Sequence, residues 1–146
     1  MKKFAVEELV PHAGRMVLLS RVIEFDEENM LAEVIVRDDG LFGYGNSVPA
    51  WLGIEYMAQT IAALGGMKRR LAEKPLNPGF LLGTRRYDCN VATFFVGSVL
   101  TISVNRLIED QGMGVFDCCI TAEGISATAK LNVYQPDSAV NWVITN

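Results

Sequence analysis

The chain is predicted to adopt an α+β fold in which one long central helix is wrapped by an antiparallel sheet, and three features point to it. The stretch PAWLGIEYMAQTIAALGG, from Pro49, is apolar over a length that reads as a single helix. Segments rich in β-branched and apolar residues lie on both sides of it, separated by short polar turns. A helix that apolar must bury most of its surface, and a sheet curved around it is the simplest cover. With 146 residues, half of them hydrophobic, residues 1–146 form one domain with a sizeable core.

In chain order, Ala5 to Val10 make one helical turn, which Pro11 and Gly14 break. Met16 to Phe25 and Asn29 to Arg37 form a hairpin across the polar turn Asp26-Glu27-Glu28. The passage DDGLFGYGNSV reads as irregular. Pro49 then opens the helix, which runs to about Ala72; cations at Lys68, Arg69 and Arg70 suit the negative end of its dipole. Pro75 and Pro78-Gly79 stop it. Phe80 to Arg85, Val99 to Leu107, Val115 to Ala122 and Ile125 to Tyr134 read as strands, the last three joined as a meander by turns at Glu109 to Gly112 and at Glu123-Gly124. A single sheet with uncovered edges predicts a homodimer with joined sheets, or a higher oligomer.

A net charge of -4 on 21% charged residues leaves no basic footprint for nucleic acid. Lys2-Lys3-Phe4 leads into Glu7-Glu8 and not into an apolar signal segment, so a cytoplasmic location is expected. Three cysteines, two of them adjacent (Cys118 and Cys119), make a poor disulfide framework. One histidine without a CxxC leaves no ligand set for zinc, and no cofactor or metal is expected. Ala50 to Met67 approaches the length of a membrane span, but Glu55 and Gln59 in its middle argue for a buried helix without a membrane crossing.

Glu55 is the feature that calls for an explanation, and Gln59 lies four residues on, within reach of it along the helix. A carboxyl sharing a stripe with Trp51, Leu52, Gln59 and Ala62 is expected to be desolvated, with its pKa raised and its protonated form available as a general acid. The backbone amides of Ala50 and Trp51, at the helix start, are expected to lack intrahelical partners and to offer an oxyanion site. Phe42, Tyr44, Trp51, Met57, Phe94 and Phe95 supply aromatic and flexible surface suited to a substrate tunnel, or to ordinary core. Cys89 has no nearby base in the sequence and reads as packing.

Three segments resemble the β-hydroxyacyl-acyl-carrier-protein dehydratases of the hotdog fold. Pro11-His12 followed by MVLLSRV is similar to that family's N-terminal Pro-His segment and first strand. Pro49 to Gln59 is similar to its central-helix signature, in which an acid is followed four residues later by a glutamine. GFLLG at Gly79 to Gly83 is like the strand after the helix. The resemblance covers nearly the whole chain, and within the family it is nearest to dehydratases associated with aryl polyene biosynthesis.

That resemblance implies an acyl-carrier-protein thioester as substrate, Glu55 as catalytic acid and Gln59 as its orienting neighbour. It also implies a catalytic histidine fourteen residues before the acid, acting across a dimer interface. In this chain that position is Leu41, followed by Phe42, and Ala50 stands where the family has glycine. Leucine can neither accept nor donate a proton. Only His12 remains, and three accounts are open. In the first, His12 takes over as base opposite Glu55, which requires the two to lie within roughly 8 Å so that one substrate can bridge them. In the second, the chain is a thioester hydrolase in which Glu55 activates water. In the third, it is an acyl-binding partner of an active dehydratase paralogue. Beside these stand plainer readings, with His12 as a loop residue bonded to backbone and Glu55 as a satisfied polar group. Lys68-Arg69-Arg70 and Arg85-Arg86 can meet an acidic carrier protein or serve only as solvated charge.

Overall fold

A computed structural model describes residues 4–12, 14–38, 45–77 and 79–135. Among the described residues, eight strands, β1 Arg21–Phe25, β2 Asn29–Ile35, β3 Ser47–Pro49, β4 Phe80–Cys89, β5 Thr93–Phe95, β6 Val99–Asp110, β7 Met113–Ala122 and β8 Ile125–Tyr134, accompany one α-helix, α1 Gly53–Leu71. Six strands form one antiparallel sheet in the order β1-β2-β6-β7-β8-β4, and β3 pairs with β5 in a small second sheet. Strand pairing extends past the predicted turn at Glu109-Asp110. The β6–β7 hairpin closes on Gln111 and Gly112 alone, both at positive φ (52° and 87°), as a two-residue turn matched to strand twist requires.

Alternation decides which face meets the helix. Met30, Ala32 and Val34 of β2, Leu100, Ile102 and Val104 of β6, and Ala127, Ala129, Leu131 and Val133 of β8 are buried on one face of the sheet. Tyr56, Met57, Ile61, Leu64 and Met67 of α1 are buried in the same core. Each such side chain contributes about 1.5–3 kcal/mol through burial, which outweighs the indifferent strand propensity of the alanines opposite.

Three expectations about elements change. Met16 to Ser20 is not strand: residues 14–16 form a 3-10 turn, and Val17, Leu18 and Leu19 are buried without joining the ladder until Arg21. Ser47–Pro49 and Thr93–Phe95, read as irregular or overlooked, pair with each other. Because Pro49 still belongs to that ladder, Ala50–Leu52 is a 3-10 turn and the helix proper starts at Gly53. Strand β4 is at the sheet edge, and Phe80, Leu81 and Leu82 are exposed there.

Candidate active site

The N-terminal segment lies on the C-terminal half of α1. Val6, Leu9 and Val10 are buried, and Glu8 reaches back to the Ala5 amide at 2.9 Å to hold a 3-10 turn over Val6–Glu8. Two residues of the helix receive this segment. Arg70 Nε donates to the Glu8 carbonyl at 2.8 Å, and Gly66 sits so close beneath Leu9 that any Cβ at that position would collide with the Leu9 carbonyl. Docked there, the chain turns at Pro11 and brings His12 to the N-terminal half of the same helix.

His12 Nε2 lies 3.3 Å from Glu55 Oε1. The contact is made within one chain. Glu55 is held in turn by Gln59, whose Nε2 donates to Glu55 Oε1 at 3.1 Å and to the Met16 carbonyl at 2.7 Å. Gln59 Oε1 accepts the Leu18 amide at 2.8 Å. Gln59 has no exposed surface, so these bonds both satisfy a buried carboxamide and fix its orientation. They also explain why residues 16–18 leave the sheet ladder: Met16 and Leu18 spend backbone groups on the helix glutamine. On His12 the other ring nitrogen, Nδ1, is buried and meets no hydrogen-bond partner among the described residues.

A cleft of about 150 Å³ opens beside the pair, with Pro11, Ala58, Ala62, Phe80 and Leu81 on its walls. Small residues on the helix and apolar side chains on β4 give it the width and polarity for a hydrocarbon chain.

Other expected site features are placed differently. The Ala50 amide donates to the Ala92 carbonyl at 2.9 Å, so it is not available for an oxyanion; the bond joins the residue just after β3 to the residue just before β5. Glu55 keeps 36% of its side chain exposed, so the full desolvation expected for it is absent in one chain; it faces the cleft and not the core. Met57 and Phe94 are fully buried in the core, while Trp51 and Phe95 are exposed, and none of the four lines the cleft. Leu41, Phe42 and Tyr44 lie outside the described residues, as does Pro78.

Sequence reasoning missed Tyr87, whose hydroxyl donates to the Ala50 carbonyl at 2.6 Å and whose burial pushes the phenol well above its ordinary pKa, keeping it a neutral donor. It also missed the part played by Gly66, although adjacent glycines in a long helix signal close approach by another segment. Cys118 is a buried thiol pushed up to about 12 by desolvation and, less so, by Asp117. Among the described residues no cluster of His, Cys, Asp or Glu suits a metal ion, and no helix is long and apolar enough to cross a membrane.

Comparison with protein families matches residues 4–144 to the ApeP-like family, described as ApeP dehydratase. Among solved structures, the dehydratase heterocomplex ApeI:P from Xenorhabdus doucetiae contains a chain similar to this one at 33% identity, with a TM-score of 0.87 and 99% of each chain covered. The E. coli PaaI protein of the phenylacetic acid degradation operon is similar at 15% identity and TM-score 0.59, over 77% of this chain and 80% of its own. A hypothetical thioesterase from Streptococcus pneumoniae, solved with coenzyme A, is similar at 13% identity and TM-score 0.57, over 79% and 84%. Comparison with curated proteins gives no match. The architecture shared with these structures, one long helix on a mostly antiparallel sheet, is the hotdog fold.

Proposed function

The chain belongs to the ApeP-like dehydratase family, and from that membership we propose that it removes water from a 3-hydroxyacyl thioester on an acyl-carrier protein, using His12 and Glu55 of one chain. The observation that carries this reading is the 3.3 Å contact between His12 Nε2 and Glu55 Oε1. It supplies a second titratable group beside the helix acid in a chain that has Leu41 where the resemblance to the β-hydroxyacyl dehydratases implies a histidine.

Dehydration needs a base for the weakly acidic α-proton and an acid for the departing hydroxyl. With a 3-hydroxyacyl chain in the cleft, His12 Nε2 takes the α-proton as the double bond forms between the α- and β-carbons. Protonated Glu55 gives its proton to the β-hydroxyl, which leaves as water. Transfer of the proton from His12 to Glu55 along their contact restores the pair. Gln59 is the positioning residue, since its two anchors on Met16 and Leu18 hold the carboxyl in place.

The related chain from Xenorhabdus doucetiae belongs to a heterocomplex, and we extend association to this protein, as a homodimer or with a dehydratase paralogue. The exposed β4 edge with Phe80, Leu81 and Leu82 beside the cleft is where a second subunit of the same fold would complete the walls and desolvate Glu55 further. With that substrate class, the reading extends to a cytoplasmic location and a part in polyene or fatty-acid assembly.

The test is turnover of a 3-hydroxyacyl carrier-protein thioester, followed by mass spectrometry. His12→Ala and Glu55→Gln are each expected to slow enoyl formation by about 10²–10⁴-fold. A 3-acetoxyacyl thioester, whose leaving group departs without protonation, should rescue Glu55→Gln and not His12→Ala; rescue of the opposite variant would exchange the two roles. Free thiol without enoyl product would make the protein a hydrolase. Acyl-carrier binding with neither product would make it the partner subunit.

A further inference from the structure

Both backbone groups of Ala50 are held by one stretch of chain, from Tyr87 near the end of β4 to Ala92 just before β5. The Ala50 amide donates to the Ala92 carbonyl at 2.9 Å, and the Ala50 carbonyl accepts the Tyr87 hydroxyl at 2.6 Å. That stretch is itself anchored around the β7–β8 turn. Asn90 Nδ2 donates to the Gly124 carbonyl at 3.1 Å, and Asn90 Oδ1 accepts the Ser126 amide at 2.9 Å. A grip fixed to the sheet therefore closes on the residue at which β3 gives way to the first turns of the helix.

We propose that Tyr87 is a second positioning residue for the dehydration, fixing the first turn of α1 beneath Glu55 so that the carboxyl meets His12; this rests on the dehydratase reading above.

Three observations carry it, and the first is a bulge in β4. Arg85 pairs with Lys130 and Asp88 with Thr128, so Arg86 and Tyr87 stand opposite Ala129 alone. Arg85 and Lys130 are exposed, and strict alternation from Arg85 would turn residue 87 away from the helix as well. The extra residue reverses the phase and brings Tyr87 inward. Its cost falls on Arg86, which is held at a φ of 52°, a left-handed conformation that a residue with a side chain disfavours. Such strain persists only where the surroundings impose it, and it gathers at working sites.

The second observation is Gly53, the residue that opens α1. Glycine is a poor helix former, yet any Cβ at this position would collide with the Tyr87 hydroxyl and with Ile120 Cδ1. The phenol oxygen thus takes the side-chain space of residue 53, two residues before Glu55. Third, Glu55 keeps 36% of its side chain exposed, so packing alone does not fix it. Gln59 holds the carboxyl from the C-terminal side, with Nε2 on Oε1 at 3.1 Å, and Tyr87 holds the backbone on the N-terminal side. Tyr87 does not line the cleft, so its effect passes through the helix and not through the substrate.

Tyr87→Phe keeps the ring and removes the hydroxyl. The Ala50 carbonyl retains the Gly53 amide as a donor, so the variant is expected to fold, which circular dichroism melting checks. With a 3-hydroxyacyl carrier-protein thioester, kcat should fall roughly tenfold while KM stays within about twofold of the parent. The 3-acetoxyacyl thioester supplies the readout that a merely structural role would not move: across the two substrates Tyr87→Phe should follow the pattern of Glu55→Gln and not that of His12→Ala. A kcat within about twofold of the parent, or a pattern unlike that of Glu55→Gln, would overturn the proposal.

A second measurement needs no turnover. His12 is the one histidine of the chain, so its ring signals can be followed by NMR without ambiguity. In Tyr87→Phe they are expected to move part of the way toward their positions in Glu55→Gln. Signals that stay in place would also overturn the proposal. Signals that move in a protein with no dehydratase activity would sink the functional reading and leave Tyr87 as the residue that sets the His12–Glu55 contact.

Discussion

Glu55 and His12 touch each other, yet they are held in unlike ways. Glu55 sits on a helix, and its neighbour Gln59 is tied to the backbone at Met16 and Leu18. His12 rides on a short irregular segment with one ring nitrogen on Glu55 and the other without a partner among the described residues. The acid is fixed by residues within one turn of it. The histidine is fixed from the far end of the helix, by Gly66 beneath Leu9 and by Arg70 on the Glu8 carbonyl. Placing one member of a pair locally and the other remotely makes the pair sensitive to changes that touch neither residue.

Because both members come from one chain, mixing protomers should separate this arrangement from one built across an interface. Co-expressed His12→Ala and Glu55→Gln chains, purified together through different tags, are expected to remain as inactive as the single variants, about 10²–10⁴-fold below the unaltered protein in enoyl formation. Recovery of a substantial share of activity in the mixed oligomer would mean that His12 of one subunit serves Glu55 of another, and the contact within one chain would then have no catalytic part.

The same contrast decides what could be read from the sequence. The contact between Glu55 and Gln59 was legible because helical spacing puts residues four apart on one side, so a local rule sufficed. Strand β8 matched over its whole length, Ile125 to Tyr134, since alternation and a Gly124 turn mark both ends. Ala50 was misjudged because whether an amide is spent depends on its partner, the Ala92 carbonyl just before Thr93–Phe95, a strand too short to carry a pattern of its own. The sequence named His12 as a candidate but could not place it, since a docking contact between residue 9 and residue 66 has no local signature beyond the paired glycines. Met57 and Phe94 went to the core for a related reason: an aromatic or flexible side chain carries no mark of whether a cavity or a packed neighbour awaits it.

Gln59 is where the two halves meet, and breaking it should weaken both. Gln59→Leu keeps the volume but strands the buried Leu18 amide, at about 1–3 kcal/mol, and the part-buried Met16 carbonyl, at about 1 kcal/mol. A loss of about 2–4 kcal/mol in urea unfolding is expected, with enoyl formation slowed by at least tenfold because the carboxyl loses its support. An unfolding midpoint within error of the parent would show that Gln59 is not the strut between the helix and residues 16–18.

The adjacent glycines of α1 offer the finest probe. Alanine is the better helix former by about 1 kcal/mol, so either substitution should favour the helix taken alone. At Gly66 the new methyl meets backbone, the Leu9 carbonyl, which cannot swing aside without moving the segment that carries His12. At Gly65 it meets the end of a flexible side chain, Gln135, which can turn away. Gly66→Ala is therefore expected to lower kcat by roughly tenfold, a loss in line with an ångström-scale misplacement of a catalytic group. Gly65→Ala should leave kcat nearly unchanged and raise KM a few-fold, because Gln135 belongs to the wall of the cleft beside His12 and Glu55. Steady-state kinetics on the two variants reads the difference directly. Similar kinetic constants for both would mean that the N-terminal segment adjusts freely over the helix, and that His12 is placed by its contact with Glu55 and not by the docking of Leu9.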